Sequence, residues 1–99
     1  MNFEIATNFI LVDLNIIKKK NIMSLADAPN NINLKVSNIS SREDFRRRLF
    51  SMGVFINDLV TKQNVNKNGP VLIKNLSNGS SKIALGRILA NQIFVEYDK

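Results

Sequence analysis

The pattern of apolar and polar positions is clearest between Ser40 and Val60, where it predicts a helix followed by a turn and a strand. At about 100° per residue, three apolar side chains fall on one side of the predicted helix and form a stripe that faces the core. These side chains are Phe45, Leu49 and Met52. Beyond the helix, a tight turn is expected at Ile56-Asn57, and Val60 lies at the start of a strand.

The two ends of this helix also carry sequence signals. Ser40 is expected to accept a hydrogen bond from the amide three residues on, and Glu43 to return one, as in a capping box. Glu43 and Asp44 place negative charge at the positive end of the helix. Gly53 is expected to take the left-handed conformation that ends it. The segment therefore predicts one short helix with defined ends.

Short apolar segments before and after the helix predict five strands. They are Asn33–Ile39, Leu59–Asn66, Val71–Leu76, Lys82–Leu85 and Ile93–Tyr97. Turn signals separate several of them, namely Lys67–Pro70 and the Asn-Gly turn in Ser77–Ser81. Ser24–Asn31 is interpreted as a loop, and Gly86–Asn91 as a single helical turn that buries Leu89 and Ala90. The fold class is therefore mainly β, as a small closed or half-closed five-stranded barrel.

The first 22 residues are interpreted as an extension outside the fold, with the domain spanning 23–99. Phe9–Ile17 is apolar but only about half the ~20 residues that a membrane-spanning helix needs. Its alternation favours a strand if it is ordered. The basic residues Lys18–Lys20 follow the apolar segment, whereas a signal peptide carries them before it. On this interpretation, Met23 is the natural start of the protein.

Composition narrows the chemistry that the chain can perform. It has 99 residues, which is enough for one domain, and it contains neither cysteine nor histidine. Thiol chemistry, zinc-finger spacing, catalytic triads and imidazole acid–base catalysis are thereby excluded. The sequence shows no paired carboxylates and no phosphate-binding glycine loop. We therefore expect a protein that is not an enzyme and holds no metal or cofactor.

Four short segments, in the right order, resemble the FeoA family, the small ferrous iron transport protein A. The first is Ser24–Pro29, and the helix-to-strand segment contains Arg47-Arg48-Leu49 and Met52-Gly53-Val54. Gly69–Ile73 and Ile83–Ile93 complete the match. There are two departures: Ile56-Asn57 stands where the family often has Pro-Gly, and the hairpin around Asn78-Gly79 is longer than is common.

The resemblance implies an SH3-like barrel in the cytoplasm. It also implies a partner, the membrane-embedded ferrous iron transporter FeoB, on whose cytosolic part the protein would dock and whose activity it would regulate. The same kind of domain occurs at the C-terminus of iron-dependent repressors. A metal-sensing domain of that type is disfavoured by the absence of histidine and cysteine.

The candidate partner-binding residues are Arg46, Arg47, Phe50, Arg87 and Leu89. Phe50 lies about 130° from the apolar stripe, and an aromatic residue beside arginines is typical of a protein-binding hot spot. Its alternative is burial under the barrel edge or the N-terminal segment. Arg46–Arg48 could instead be a solvated helix face, a docking surface or a nucleic-acid patch.

The net charge of +6 leaves a second function open, a small basic domain associated with nucleic acid. Single-strand binders interleave aromatic residues among their basic ones, so that bases can stack. The nearest candidates, Phe94 and Tyr97, fall on opposite faces of their strand. Docking on a protein is therefore the preferred prediction.

Overall fold

The fold is built on one antiparallel sheet of six strands, described by a computed structural model over residues 22–63 and 68–98. The strands are β1 (Met23–Ser24), β2 (Asn33–Ile39), β3 (Leu59–Lys62), β4 (Val71–Asn75), β5 (Ser81–Leu85) and β6 (Ile93–Tyr97). A 3₁₀ helix (Leu25–Asp27) and two helices, α1 (Glu43–Ser51) and α2 (Arg87–Ala90), join them. Their order in the sheet is β1-β6-β2-β3-β4-β5. The mainly β, SH3-like fold is thus confirmed.

The long strand β2 is an inner strand of the sheet, which pairs with β3 on one side and with β6 on the other. Its register with β6 shifts between Val36 and Asn38, because Ser37 is an extra residue with no partner on β6. This is a β-bulge. The Ser37 hydroxyl donates to the carbonyl of Phe94 at 3.1 Å. A bulge bends and twists a strand, so one continuous strand can contribute to both halves of a barrel.

The core lies inside the curve of the sheet and is filled by alternate strand residues, as the two-residue period of a strand requires. Leu49 of α1 and Leu89 and Ala90 of α2 close it. Phe45 and Met52 are partly buried against it. The predicted helix stripe is therefore confirmed as the core-facing side of α1. The helices in the described ranges are all too short or too polar to cross a membrane.

All five predicted strands are present, but a sixth was missed. Met23 and Ser24 pair with Val95 and Phe94, so the segment assigned to a loop begins with a strand and a 3₁₀ helix. A two-residue strand has no periodicity that a sequence could reveal, since its only signal is the partner across the sheet. Residues 1–21, 64–67 and 99 lie outside the described ranges. The predictions made for the N-terminal extension and for the last residues of the strand Leu59–Asn66 therefore lie outside them as well.

The predicted capping box at the start of α1 is wrong. The residue that precedes the helix is Arg42, and no side chain caps it. Ser40 uses its own amide to donate to Gln92, so the chain stays extended there, and its hydroxyl accepts from the Arg42 amide at 3.2 Å. Arg42 instead pairs with Asp44 at 2.8 Å. This hydrogen bond lowers the pKa of the Asp44 carboxyl.

The end of α1 follows the prediction, since Gly53 has a φ of +89°. A β-carbon at this position would lie 3.0 Å from the Nδ2 atom of Asn78 in the turn between β4 and β5. Gly79 also has a positive φ of +63°, but a β-carbon there would meet nothing within 4 Å. The two glycines share the backbone conformation and differ in the space around them.

We expect Gly53→Ala to lower the free energy of unfolding by about 2 kcal/mol. The left-handed conformation costs alanine ~1–2 kcal/mol, and the close contact of its β-carbon with Asn78 adds to that cost. Gly79→Ala is the matched control and should show only the conformational part. Chemical denaturation of both variants measures the difference. If the two lose equal stability, the contact with Asn78 has no energetic weight.

Lys62 is a buried cation in the sheet, with only 4% of its surface exposed. Its ammonium group donates to the carbonyls of Ala26 at 2.7 Å and Ala28 at 2.8 Å. Burial lowers the pKa of Lys62, and the charge of Arg87 lowers it further, while Asp27 acts in the opposite direction. Lys62 thereby ties β3 to the 3₁₀ helix and to the residue that follows it.

Candidate docking surface

Two phenylalanines form an exposed aromatic pair beside the C-terminal end of α1. The rings of Phe50 and Phe55 stack with their centroids 5.4 Å apart and their planes 13° from parallel. Both remain in contact with solvent, at 36% and 47% exposure, and the neighbouring Ile56 is 38% exposed. Together these three side chains form the aromatic patch. Exposed apolar groups that lie together mark interaction sites more often than scattered ones do.

Arginines flank the aromatic patch on the helix. The guanidinium group of Arg46 lies 5.8 Å from the centre of the Phe50 ring, within the range of a cation–π contact. Arg47 is exposed on the same helix. Phe55 covers one face of Phe50, so the ring is neither free on both sides nor buried in the core. The helix thus presents an aromatic centre with a basic rim, which is the make-up of a protein-binding hot spot.

A buried hydrogen-bond network holds the loop that carries Phe55. Asn75 of β4 is fully buried, and its amide group donates to the Gly53 carbonyl and to the Asp58 carboxylate, both at 2.9 Å. The same Asp58 oxygen accepts from the backbone amide of Phe55 at 2.9 Å. The side-chain carbonyl of Asn75 accepts from the Ser77 amide at 3.0 Å. The position of Phe55 is therefore set by β4.

The same loop is fixed to β2 by its backbone. The amide of Asn57 donates to the Val36 carbonyl at 2.7 Å, and the Val36 amide donates to the Asp58 carbonyl at 2.9 Å. Asn57 has a φ of +76°, so the predicted turn at Ile56-Asn57 is present and asparagine takes the left-handed position. Because hydrogen bonds tie the loop to two strands, it holds the aromatic patch in a defined shape. A surface that is already ordered loses less conformational entropy when a partner binds.

The two partner-binding residues predicted on α2 are, taken together, more buried than those predicted on α1. Leu89 is packed in the core with 7% exposure, so it is removed from the docking surface. Arg87 is half-buried, and its Nε atom is enclosed without an acceptor among the described residues. Ile88 between them is the most exposed large apolar residue in that part of the chain, at 71%. A turn with buried Leu89 and Ala90 was itself predicted, and it leaves Ile88 on the outside.

Sequence reasoning missed Phe55 and Ile56 as surface residues. They follow Gly53 in a loop without periodicity, so no pattern predicts whether they face the core or the solvent. A signal was available, since two large apolar residues stand between a helix-ending glycine and a turn asparagine. Loops run over the surface, and this position alone favours exposure.

In the described ranges, no three residues among histidine, cysteine, aspartate and glutamate lie close enough together to hold a metal ion. We expect the isolated protein to show no tight binding of ferrous iron, because its scattered carboxylates offer too few ligands. Calorimetric titration under anaerobic conditions tests this. Stoichiometric binding below micromolar concentration would contradict it.

The fold defines a small SH3-like β-domain, and the aromatic patch is its candidate docking surface. The chain belongs to the FeoA family, since residues 23–97 match the FeoA domain. Comparison with curated protein sequences gives no match.

Solved structures agree with this assignment in fold. An iron uptake regulatory protein (FeoA) is 24% identical with a TM-score of 0.67, over 76% of this chain and 96% of that one. The FeoA-like protein from Clostridium acetobutylicum is 18% identical with a TM-score of 0.66, over 77% and 86%. A manganese-dependent transcriptional repressor is 17% identical with a TM-score of 0.70, over 80% and 43%. The chain thus spans less than half the length of that repressor.

Proposed function

We propose that this protein is a non-enzymatic, cytoplasmic accessory of ferrous iron uptake, which docks on the cytosolic part of a FeoB-type transporter and regulates it. The membership in the FeoA family supports the link to iron transport. The single observation that carries the docking mode is the exposed stack of Phe50 and Phe55 beside Arg46. In this mode the two rings enter an apolar pocket of the transporter. The arginines then meet acidic groups at its rim.

Removing one ring should weaken docking without unfolding the domain. We expect Phe50→Ala to weaken binding by about 1–3 kcal/mol, or about 5- to 150-fold, the range of an aromatic anchor. Arg47→Ala should mainly slow association, since a rim charge acts through electrostatic steering. Surface plasmon resonance against the transporter's cytosolic portion measures both, and thermal melts of the free variants check folding.

Two control variants make this test decisive. Phe45→Ala removes a side chain that packs against the core, so it should lower the melting temperature more than Phe50→Ala does. Ile88→Ala truncates an exposed apolar residue on α2 and should leave binding unchanged. If Ile88→Ala weakens binding and Phe50→Ala does not, the docking surface lies on α2.

The rival function is association with nucleic acid, which is favoured by the net charge of +6 and by one exposed and two half-exposed lysines of the sheet, Lys82, Lys35 and Lys74. The salt dependence of binding distinguishes the two functions. Binding to nucleic acid falls steeply with salt because counterions are released from the phosphates. Docking through an apolar patch should lose little affinity between low and physiological salt. Salt-sensitive binding to an oligonucleotide, together with no binding to the transporter fragment, would favour the rival.

A further inference from the structure

Strand β5 is an open edge of the sheet in the described part of the chain. It hydrogen-bonds to β4 alone and stands last in the strand order, whereas the other edge, β1, is only two residues long. Every second residue of an edge strand turns its backbone amide and carbonyl away from the sheet. Such groups can bind a further strand, and proteins usually protect an edge of this length.

A groove of about 240 Å³ accompanies β5. Three successive residues of β5 line it, and the remaining lining comes from Leu72 and Ile73 of β4 and from Gln63. Leu72 is 38% exposed and lies directly across from Ala84 of β5. Ile83 of β5 lies directly across from Ile73, on the other face of the sheet, and is only partly buried. Every second side chain of an extended chain beside β5 would point to that face and find apolar surface within reach.

Two positive charges lie beside this edge. Lys82 of β5 lies directly across from Lys74 of β4, on the outer face of the sheet. Neither lysine has an ion pair with a described residue. Like charges directly opposite each other on a sheet are destabilising, so this pair costs stability in the free protein. An acidic side chain beside Lys82 would relieve that cost.

Lysine on an edge strand normally prevents pairing with other strands. Here Lys82 also discriminates between acidic and basic strands. A second copy of this chain would bring its own Lys82 and a net charge of +6 to the edge, so electrostatic repulsion opposes pairing between copies. An acidic strand is attracted by the same charges. The edge therefore excludes basic strands while it stays open to acidic ones.

We infer that β5 binds an extended acidic protein segment, which adds to the sheet as a seventh strand. Its carboxylates lie beside Lys82 on the outer face of the sheet, and its apolar side chains, which point to the other face, lie against Ile83. Main-chain hydrogen bonds supply the affinity of such strand addition, and the side chains supply its specificity. This surface is separate from the aromatic patch, and the inference does not depend on the proposed function.

Two eight-residue peptides test the inference with the full chain, one alternating valine with glutamate and the other alternating valine with lysine. In nuclear magnetic resonance titrations, the glutamate peptide should bind at least about tenfold more tightly. It should shift the amide signals of Ser81–Leu85 and protect them from hydrogen exchange. Binding that shifts no β5 signal, or equal affinity for both peptides, would overturn the inference.

Variants of the protein and of the peptide separate strand addition from charge attraction. Lys82→Glu should reverse the preference between the peptides. Methylation of alternate backbone nitrogens in the glutamate peptide should abolish its binding, since it removes the donors that face β5. Phe50→Ala should bind the glutamate peptide normally, which keeps this result independent of docking through the aromatic patch. If the methylated peptide binds as well as the parent, or if copies of the chain associate through β5, the inference fails.

Discussion

Replacing Lys62 with methionine is expected to lower the free energy of unfolding by about 3 kcal/mol, although methionine is apolar and similar in length. The reason is that the carbonyls of Ala26 and Ala28 each lose a donor. A buried polar group without a partner costs roughly 1–3 kcal/mol, and two such groups outweigh the relief of no longer burying a charge. Urea denaturation at neutral pH measures the change.

The pH dependence of this variant provides a second test. The pKa of Lys62 lies below its usual 10.5, because burial penalises the charged form. Between the lowered pKa and 10.5, the folded state binds fewer protons than the unfolded state, so the contribution of Lys62 rises with pH. A neutral amine still has two N–H groups for the two carbonyls.

The stability difference between the native protein and Lys62→Met should therefore widen as the pH rises from 7 towards 10. Lys74→Met is the matched control, since Lys74 is a half-exposed lysine on the next strand without an ion pair among the described residues. It should change stability by no more than about 0.5 kcal/mol at neutral pH. A loss of similar size in both variants would show that Lys62 contributes no more than a surface lysine does.

Replacing Asn75 with aspartate should also cost about 3 kcal/mol at pH 7, because the buried amide donates to the Gly53 carbonyl and to the Asp58 carboxylate. The substitution preserves the shape of the side chain but removes both donors. It also places a second carboxylate against Asp58, and two close carboxylates raise each other's pKa values. Guanidinium denaturation at several pH values measures the effect.

The penalty of Asn75→Asp grows as the pH rises, as that of Lys62→Met does, but it does so in the acidic range. A carboxyl whose pKa is raised on folding binds its proton more tightly in the folded state, so the penalty of Asn75→Asp shrinks as the pH falls from 7 towards 4. Asn78→Asp, in the exposed turn after β4, is the matched control and should change stability by less than about 0.5 kcal/mol. A penalty that is independent of pH would show that repulsion from Asp58 has no part in it.

Asn75→Asp should also weaken docking more than its effect on folding explains. The oxygen of Asp58 that accepts from Asn75 also accepts from the Phe55 amide, so a displaced carboxylate moves the loop that carries Phe55. This makes Asn75 a positioning residue for the aromatic patch.

The strands and the helix could be predicted from the sequence because their signals are local. Asn33–Ile39 and Ile93–Tyr97 have the predicted bounds, since alternation along a strand is set by which face is buried. The turn at Asn57 and the end of α1 at Gly53 followed from the conformations that asparagine and glycine tolerate. Phe50 was correctly placed outside the core stripe by helical geometry alone.

The remaining features depend on contacts between residues far apart in the chain, and only the tertiary structure decides these. The strand at Met23 exists because β6 lies beside it, and Lys62 faces inward because two distant carbonyls need donors. Phe50 and Phe55 meet only because Asn75, about twenty residues further on, holds the intervening loop. A sequence pattern reports the environment that each residue prefers. Which partner supplies that environment is determined when the sheet closes.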